Sequence, residues 1–335
     1  MNEGASDENQ LHDTTERSEI AGITSGEVDR ALKKMKSGKA VGPDGIPVEI
    51  WKIAGKRACE WLKSVFDKLL HGERMPEEWR QSWLVPVYKG KGNIQECTNY
   101  RGIKLLSHTM KLWERVVESR LRAETKIDDN QFGFMPGRST TEPIFMLRQM
   151  MEKRRRRKKK MQIVFVDLEK AYDRVPRKLV WEVMKCRGVN DRYIDAVQDM
   201  YTGVRTSVKT ENGQSNSFEV RIGVHQGSTL SPYLFILVMD ELLKGVIKEV
   251  PWCMLFADDM VIIGDTVEEV NEMLEKVREA LESKGLKINK EKTEHLESRW
   301  KGESAGGERV NIQGVELKKV PEYKYPGLSC KMMGN

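Results

Sequence analysis

Apolar and polar positions alternate along the chain in two periods, one helical and one extended. Thr24 and Glu27 have the spacing of a capping box. Val28, Ala31, Leu32 and Met35 follow on one helical face, so a helix is predicted there, ended by Gly38. A stripe through Trp61, Leu62, Val65, Phe66, Leu69 and Leu70 predicts a second helix over 56–70. Trp83-Leu84-Val85-Pro86-Val87 reads as a strand, with Pro86 predicted to confine it to a sheet edge. Leu112, Val116, Val117 and Leu121 mark a long helix over 107–124. Ile163-Val164-Phe165-Val166 is a continuous apolar run, the pattern of a strand buried on both faces. Beyond it the pattern predicts a helix through Leu179, Val180, Val183 and Met184, and others at 191–201, 232–246 and 267–284. Within the same unit it predicts a strand pair, 204–209 with 217–222, around Asn212-Gly213, and a short edge strand at 286–289. Residues 1–21 are polar, acidic and aperiodic, which predicts a disordered lead-in. The order of elements is that of an α+β fold with helices on one face of a sheet.

Candidate chemistry sits where two apolar runs end in acids. Leu255-Phe256-Ala257 and Met260-Val261-Ile262-Ile263 flank Asp258-Asp259 and outline a tight hairpin. Adjacent carboxylates repel, so a cation is expected beside them, and a hard divalent metal suits oxygen ligands. Taken alone, a solvated acidic turn is the alternative. Asp167, closing the run at 163–166, supplies a second carboxylate in the same setting. Two such strand ends side by side would hold two metals about 3.5–4 Å apart, the arrangement used for phosphoryl transfer. Between them, Gly223 to Pro232 forms a glycine-rich turn entering an apolar helix.

Composition narrows the class. A chain of 335 residues with 39% hydrophobic and 32% charged residues is long enough for about two folding units. No stretch approaches the ~20 apolar residues that span a bilayer, and the acidic N-terminus is not a signal peptide. An intracellular protein with no membrane partner is expected. The five cysteines show no paired spacing and are expected to be reduced and mostly buried. Net charge is +6, and Lys153 to Lys160 is an unbroken block of eight basic residues. That block is either a footprint for phosphates or a solvated loop or nuclear-import signal.

Val166-Asp167-Leu168-Glu169-Lys170-Ala171-Tyr172-Asp173, the stretch from Gln226-Gly227-Ser228 to Ser231-Pro232, and Phe256-Ala257-Asp258-Asp259 resemble three successive polymerase motifs of reverse transcriptases. More narrowly they resemble those of non-LTR (LINE-type) retrotransposons of the RTE-like branch, over roughly residues 27–328. The resemblance implies a right-hand polymerase, with fingers at 22–162, palm at 163–300 and a primer-grip-like hairpin in 301–335. It implies RNA-directed DNA synthesis with two Mg²⁺ ions, or Mn²⁺ as a substitute, on an RNA template with a DNA primer and dNTPs, in the nucleus. Oligomeric state carries no signal.

The same resemblance assigns residues. Asp167 and Asp258 would bridge the metals, with Asp259 supporting them and the carbonyl of Leu168 adding a ligand. Lys89 and Arg101 would contact the triphosphate, Tyr172 would exclude a 2′-hydroxyl, and Gln226 and Gly227 would lie along the nascent base pair. Lys292 would protonate pyrophosphate. Phe134 and Arg138, in a loop resembling a template-contacting loop, and Arg154, Arg155, Arg156 and Arg157 are the nucleic-acid candidates. The chain departs from the pattern at Tyr325-Pro326-Gly327, where relatives carry leucine in place of proline. With no room for a thumb before Asn335, a fragment of reduced activity is expected. Two alternatives are a catalytically silent nucleic-acid-binding remnant and an RNA-dependent RNA polymerase; Tyr172 and Phe256-Ala257 favour the reverse transcriptase over the latter.

Overall fold

The computed structural model describes residues 19–300, 307, 309–324 and 331–333. The capping box forms as expected: Thr24 Oγ1 accepts the Glu27 N–H and a Glu27 carboxylate oxygen accepts the Thr24 N–H, opening α1 (Ser25–Lys34). The helix stops ahead of Gly38, with Met35 already extended. α2 (Val48–Leu70) begins earlier than its stripe indicated and crosses a kink at Gly55, where φ is 57°. Lacking a Cβ, glycine takes that conformation at little cost.

β1 (Gln81–Tyr88) and β2 (Tyr100–Leu106) pair antiparallel along their length. α3 (His108–Glu124) follows, capped by Ser107 Oγ, then α4 (Thr141–Arg156), β3 (Met161–Val166), α5 (Ala171–Arg174), α6 (Arg177–Cys186) and α7 (Asp191–Tyr201). The next strands are β4 (Arg205–Thr210), β5 (Gly213–Gln214) and β6 (Phe218–Glu219). They do not join the acid-ended strands, where the sequence placed them. β4 runs parallel to β1 in a five-stranded sheet of order β2-β1-β4-β5, with β6 also on β4. The edge expected for β1 is therefore corrected in part. β4 pairs with it only over Gln81–Leu84, so Pro86, with no N–H to offer, falls where that neighbour has ended.

After α8 (Ser231–Leu243) come β7 (Cys253–Phe256), β8 (Asp259–Gly264), α9 (Val267–Glu282), β9 (Glu294–Ser298) and, past the short hairpin of β10 (Asn311–Ile312) and β11 (Val315–Glu316), β12 (Lys318–Lys319), whose strands β7, β8, β9 and β12 join β3 in a second sheet. Its strand order is β12-β9-β3-β8-β7, with β3 central and antiparallel to both neighbours. The edge strand expected at 286–289 reduces to one bridge, Leu168 to Ile288, and β9 takes the place beside β3.

All of β3 is buried. Ile163 and Phe165 pack with Ile144, Leu147 and Met151 of α4, whereas Val164 and Val166 share a core with α6, α8 and α9. Helices therefore cover both faces, which corrects the one-face expectation. An uninterrupted apolar strand has no polar face to leave to water. β13 (Glu322–Lys324) pairs with β14 (Lys331–Met333), and Tyr323 stacks on Phe165 with ring centroids 3.5 Å apart. Residues 1–18, Tyr325-Pro326-Gly327 and Cys330 lie outside the described residues. Of the described cysteines, Cys59 and Cys253 are buried, while Cys97 and Cys186 are exposed, against the expectation that most are buried. No described helix is long and apolar enough to cross a membrane.

Candidate active site

Strand register brings the acids together. Val166 pairs with Met260 in the antiparallel β3–β8 ladder, so Asp167 leaves β3 where Asp259 enters β8. Phe256 pairs with Asp259, which makes Ala257 and Asp258 the two turn residues. The hairpin is as expected but shifted by one: Asp259 is already strand. Ala257 adopts φ +60°, a left-handed conformation costing a non-glycine residue about 1–2 kcal/mol.

That turn is braced by a residue the sequence did not single out. Gln131 Oε1 accepts the Ala257 N–H at 3.0 Å and the Gly133 N–H at 2.9 Å. Phe132 N–H donates to the Leu255 carbonyl at 2.8 Å. Gly133 is obligatory here, because a Cβ would lie 2.4 Å from the Ala257 nitrogen. Nothing in a loop glutamine's identity signals such a contact in advance.

Asp167 is fixed through its backbone. Its carbonyl accepts the Asn289 N–H at 2.8 Å, and its N–H donates to Thr293 Oγ1 at 3.4 Å. The neighbouring Glu169 N–H donates to the Lys287 carbonyl, so the Leu168 bridge leaves the Leu168 carbonyl unused. Asp167 Oδ2 is buried and takes no hydrogen bond, with Lys292 Nζ 3.5 Å away. Burial raises the Asp258 carboxyl and Asp167 adds to the effect, opposed by its own backbone N–H, Arg101 and Lys292. Asp259 is pushed up to about 7 by burial and by the charges of Asp258 and Asp167. Three acids thus crowd one another, and among the described residues Lys292 and Arg101 are the charges that offset them.

These groups fit a divalent cation. An orphaned carboxylate oxygen and mutually repelling acids are what a cation would satisfy. Among the described residues no group of three or more His, Cys, Asp and Glu side chains is placed to hold a metal ion by itself. Magnesium needs none, being held by one or two carboxylates together with substrate phosphates and water.

Residues 88–330 match the family described as reverse transcriptase (RNA-dependent DNA polymerase), well over half of the chain. The chain belongs to the reverse transcriptase family. Curated proteins similar to it include a probable RNA-directed DNA polymerase from transposon BS of Drosophila melanogaster, 26% identical over 90% of this chain and 35% of that protein. Another is a Pol polyprotein from type-1 retrotransposable element R2 of Nasonia vitripennis, 23% identical over 88% of this chain and 30% of that protein. These relatives place the reverse transcriptase domain with those of non-LTR retrotransposons. The chain spans about a third of the length of the curated relatives it matches. An apo telomerase from Candida tropicalis, truncated from its C-terminal domain, superposes with a TM-score of 0.50 at 15% identity, covering 82% of this chain and 59% of that one. That likeness is one of fold, the fingers-and-palm fold of polymerases.

The remaining predicted residues divide into those at this site and those engaged elsewhere. Tyr172 stacks on Phe235, centroids 4.5 Å apart, with its hydroxyl buried and unpaired. Burial, then the charge of Asp258, raises that hydroxyl's pKa. Gln226 Nε2 donates to Asp173 Oδ1 at 2.9 Å, and the Gln226 carbonyl accepts the Lys104 N–H at 3.2 Å. Asp173, raised by burial, is a second residue that sequence reasoning missed. Gly227 meets the protein itself: a Cβ there would lie 2.5 Å from the Lys104 carbonyl. A cleft of about 320 Å³ opens between the first sheet and this turn, lined by Gly102, Lys104, Asp173, His225 and Gln226 among others.

Arg101 is exposed and acts on Asp258 through its charge. Lys89 instead donates to the Thr98 carbonyl at 2.8 Å. Arg138 pairs with Asp129 at 3.0 Å and lies over the Phe132 ring, while Phe134 is 47% exposed. Arg154 is pinned to Asp265 at 2.6 Å and Arg155 is half-buried, so only Arg156 and Arg157 of the four arginines face outward.

Behind the turn lies a third group missed from sequence. Glu114, on α3 and 1% exposed, accepts the Thr229 N–H at 2.9 Å. Burial raises its pKa, while Ser228, the Thr229 N–H, Lys111 and Lys104 oppose the shift. Lys104 is lowered to about 8 by burial and Arg177, with Glu114 opposing. His225 is buried with neither ring nitrogen bonded, and burial drives its pKa far down, keeping it neutral.

Proposed function

We propose that this domain extends a DNA primer on an RNA template, with two Mg²⁺ ions as its cofactors. The reading is supported above all by the convergence of Asp167, Asp258 and Asp259 at adjoining ends of β3 and β8. In the reaction the primer 3′-hydroxyl loses its proton and attacks the α-phosphorus of a dNTP; the bond to the β-phosphate oxygen breaks and pyrophosphate departs. Asp167 and Asp258 would hold the divalent ions, with Asp259 and the Leu168 carbonyl in support. When bound, the ions supply Lewis-acid stabilisation of the attacking and leaving oxygens.

The other residues act on the substrate. Arg101 offers a guanidinium fork to the triphosphate. The Tyr172 ring, held against Phe235, occupies the space of a 2′-hydroxyl and selects deoxynucleotides. Gln226, oriented by Asp173, borders the nascent base pair. Lys292, beside Asp167, would give a proton to pyrophosphate.

Primer extension on poly(rA)/oligo(dT) with Mg²⁺, comparing dTTP with UTP, tests this. Extension with dTTP alone is expected from the wild type and none from Asp258→Asn. Preference for UTP would point to an RNA polymerase, and binding without extension to a silent remnant.

A further inference from the structure

α4 lies against the palm sheet on one side only. Ile144, Leu147 and Met151 are buried beneath it, while Phe145, Gln149, Lys153 and Arg156 follow one another at three- or four-residue spacing along the outer face. Phe145, 63% exposed, is the most exposed aromatic ring among the described residues. Beside this stripe runs a groove of about 590 Å³, with Met146, Met150 and Pro251 in its walls and Arg157 at its end. Its one acid is Glu152, 3.8 Å from the Arg156 guanidinium and set against Lys153, Arg156 and Arg157.

We propose that this groove binds single-stranded nucleic acid at a site separate from the catalytic cleft, with Phe145 stacking on a base and Lys153, Arg156 and Arg157 neutralising phosphates. An aromatic platform in line with cations is the physical basis of sequence-tolerant single-strand binding. A duplex would offer phosphates to the cations but no open base face to Phe145 or to the thioethers of Met146 and Met150. A solvated import signal explains neither the exposed ring nor the apolar walls. It also fits poorly with a basic run whose first residues are fixed in helix and whose Arg154 is pinned to Asp265.

Position separates the groove from the cleft. The six residues of β3 lie between Lys160 and Asp167, and at about 3.3 Å per residue that is roughly 20 Å. α4 runs from the Gln131–Arg138 loop, beside the carboxylates, to the start of β3 at the opposite end. Over Phe145 to Arg156 it spans about 16 Å at 1.5 Å per residue, room for a few nucleotides. The binding itself does not depend on polymerase activity; only the identification of the strand as template RNA rests on the proposed function.

The test uses the Asp258→Asn chain and labelled oligo(U) or oligo(dT) of about 12 nucleotides, within the usual site sizes, in fluorescence anisotropy at several salt concentrations. The two oligonucleotides report any preference for RNA over DNA. Phe145→Ala should weaken binding roughly tenfold without changing the salt slope, and Phe145→Tyr should restore it. Arg156→Ser with Arg157→Ser should flatten the slope by about 1.4, at about 0.7 per single-strand phosphate. Excess blunt-ended primer–template duplex should leave the labelled strand bound. Unchanged affinity in Phe145→Ala, an unchanged slope in the arginine variant, or full displacement by the duplex would each overturn the proposal. Failure of the polymerase reading is recorded separately, by primer extension with the wild-type chain.

Discussion

A half-buried and a buried charged cluster of this domain are balanced differently. Asp167, Asp258 and Asp259 crowd one another at the ends of β3 and β8; among the described residues Lys292 and Arg101 oppose their charge, and Asp259 rises to about 7. Behind the Gln226–Thr229 turn, Glu114 sits among Lys104, Lys111 and the Thr229 N–H, opposite charges and donors together. The first cluster carries an excess of one sign; in the second, acid and bases offset one another. Burial alone therefore does not mark a reactive centre. Unbalanced sign does, because like charges kept close in a low-dielectric site persist only where a ligand rewards them.

The comparison is tested most severely by removing one acid from each cluster. Asp258→Asn should lower primer extension by about 10³-fold or more, the several kcal/mol attributed to metal-assisted charge stabilisation. The metal-free chain should unfold at the same or higher urea concentration, since repulsion is relieved. A variant that extends primers like wild type would remove Asp258 from the site. Glu114→Leu should do the reverse: it leaves Lys104 and the Thr229 N–H without their acceptor and should cost about 3 kcal/mol in urea unfolding. A neutral result would show that Glu114 is protonated and carries little of the pocket's balance.

A smaller effect follows from pH. Asp259 releases its proton near 7 in the folded chain and at about 3.9 when unfolded. Between those values the folded state binds the extra proton, so this group destabilises the metal-free chain above pH 7 and ceases to do so as pH falls toward 4. Asp259→Asn should therefore be more stable than wild type at pH 8, with the advantage shrinking by pH 5. Stabilisation by Mg²⁺ should run the other way. It requires ionised carboxylates, so the rise in melting temperature on adding Mg²⁺ should fade below pH 7. Equal Mg²⁺ shifts at pH 8 and pH 5.5 would contradict the coupling.

The smallest expected effect concerns Tyr172, which touches the palm cluster through Asp258's charge but does no metal chemistry. Tyr172→Val should lower the preference for dTTP over UTP by about tenfold or more, a steric selection of ordinary size, with dTTP extension itself largely kept. An unchanged ratio would make the ring a packing element against Phe235.

Local pattern in the sequence determined a good deal. The Thr24–Glu27 capping box, the helix at 191–201, the buried strand ending in Asp167 and the acidic hairpin all follow from nearest-neighbour physics: caps, periodicity and turn chemistry act within a few residues. The order of the three motifs also carried the family. Only the tertiary structure decided which groups meet. Gln131 reaches Ala257 across 126 positions, and Glu114 reaches Thr229 across 115. Neither residue belongs to a periodic pattern that would mark it. The same holds for the strands at 205–219, drawn into the first sheet by pairing with β1, and for Arg154, turned inward by Asp265 while Arg156 and Arg157 stay in solvent. Periodicity records which side of an element is apolar. It does not record what lies opposite, and the hydrogen bonds that orient a site are made there.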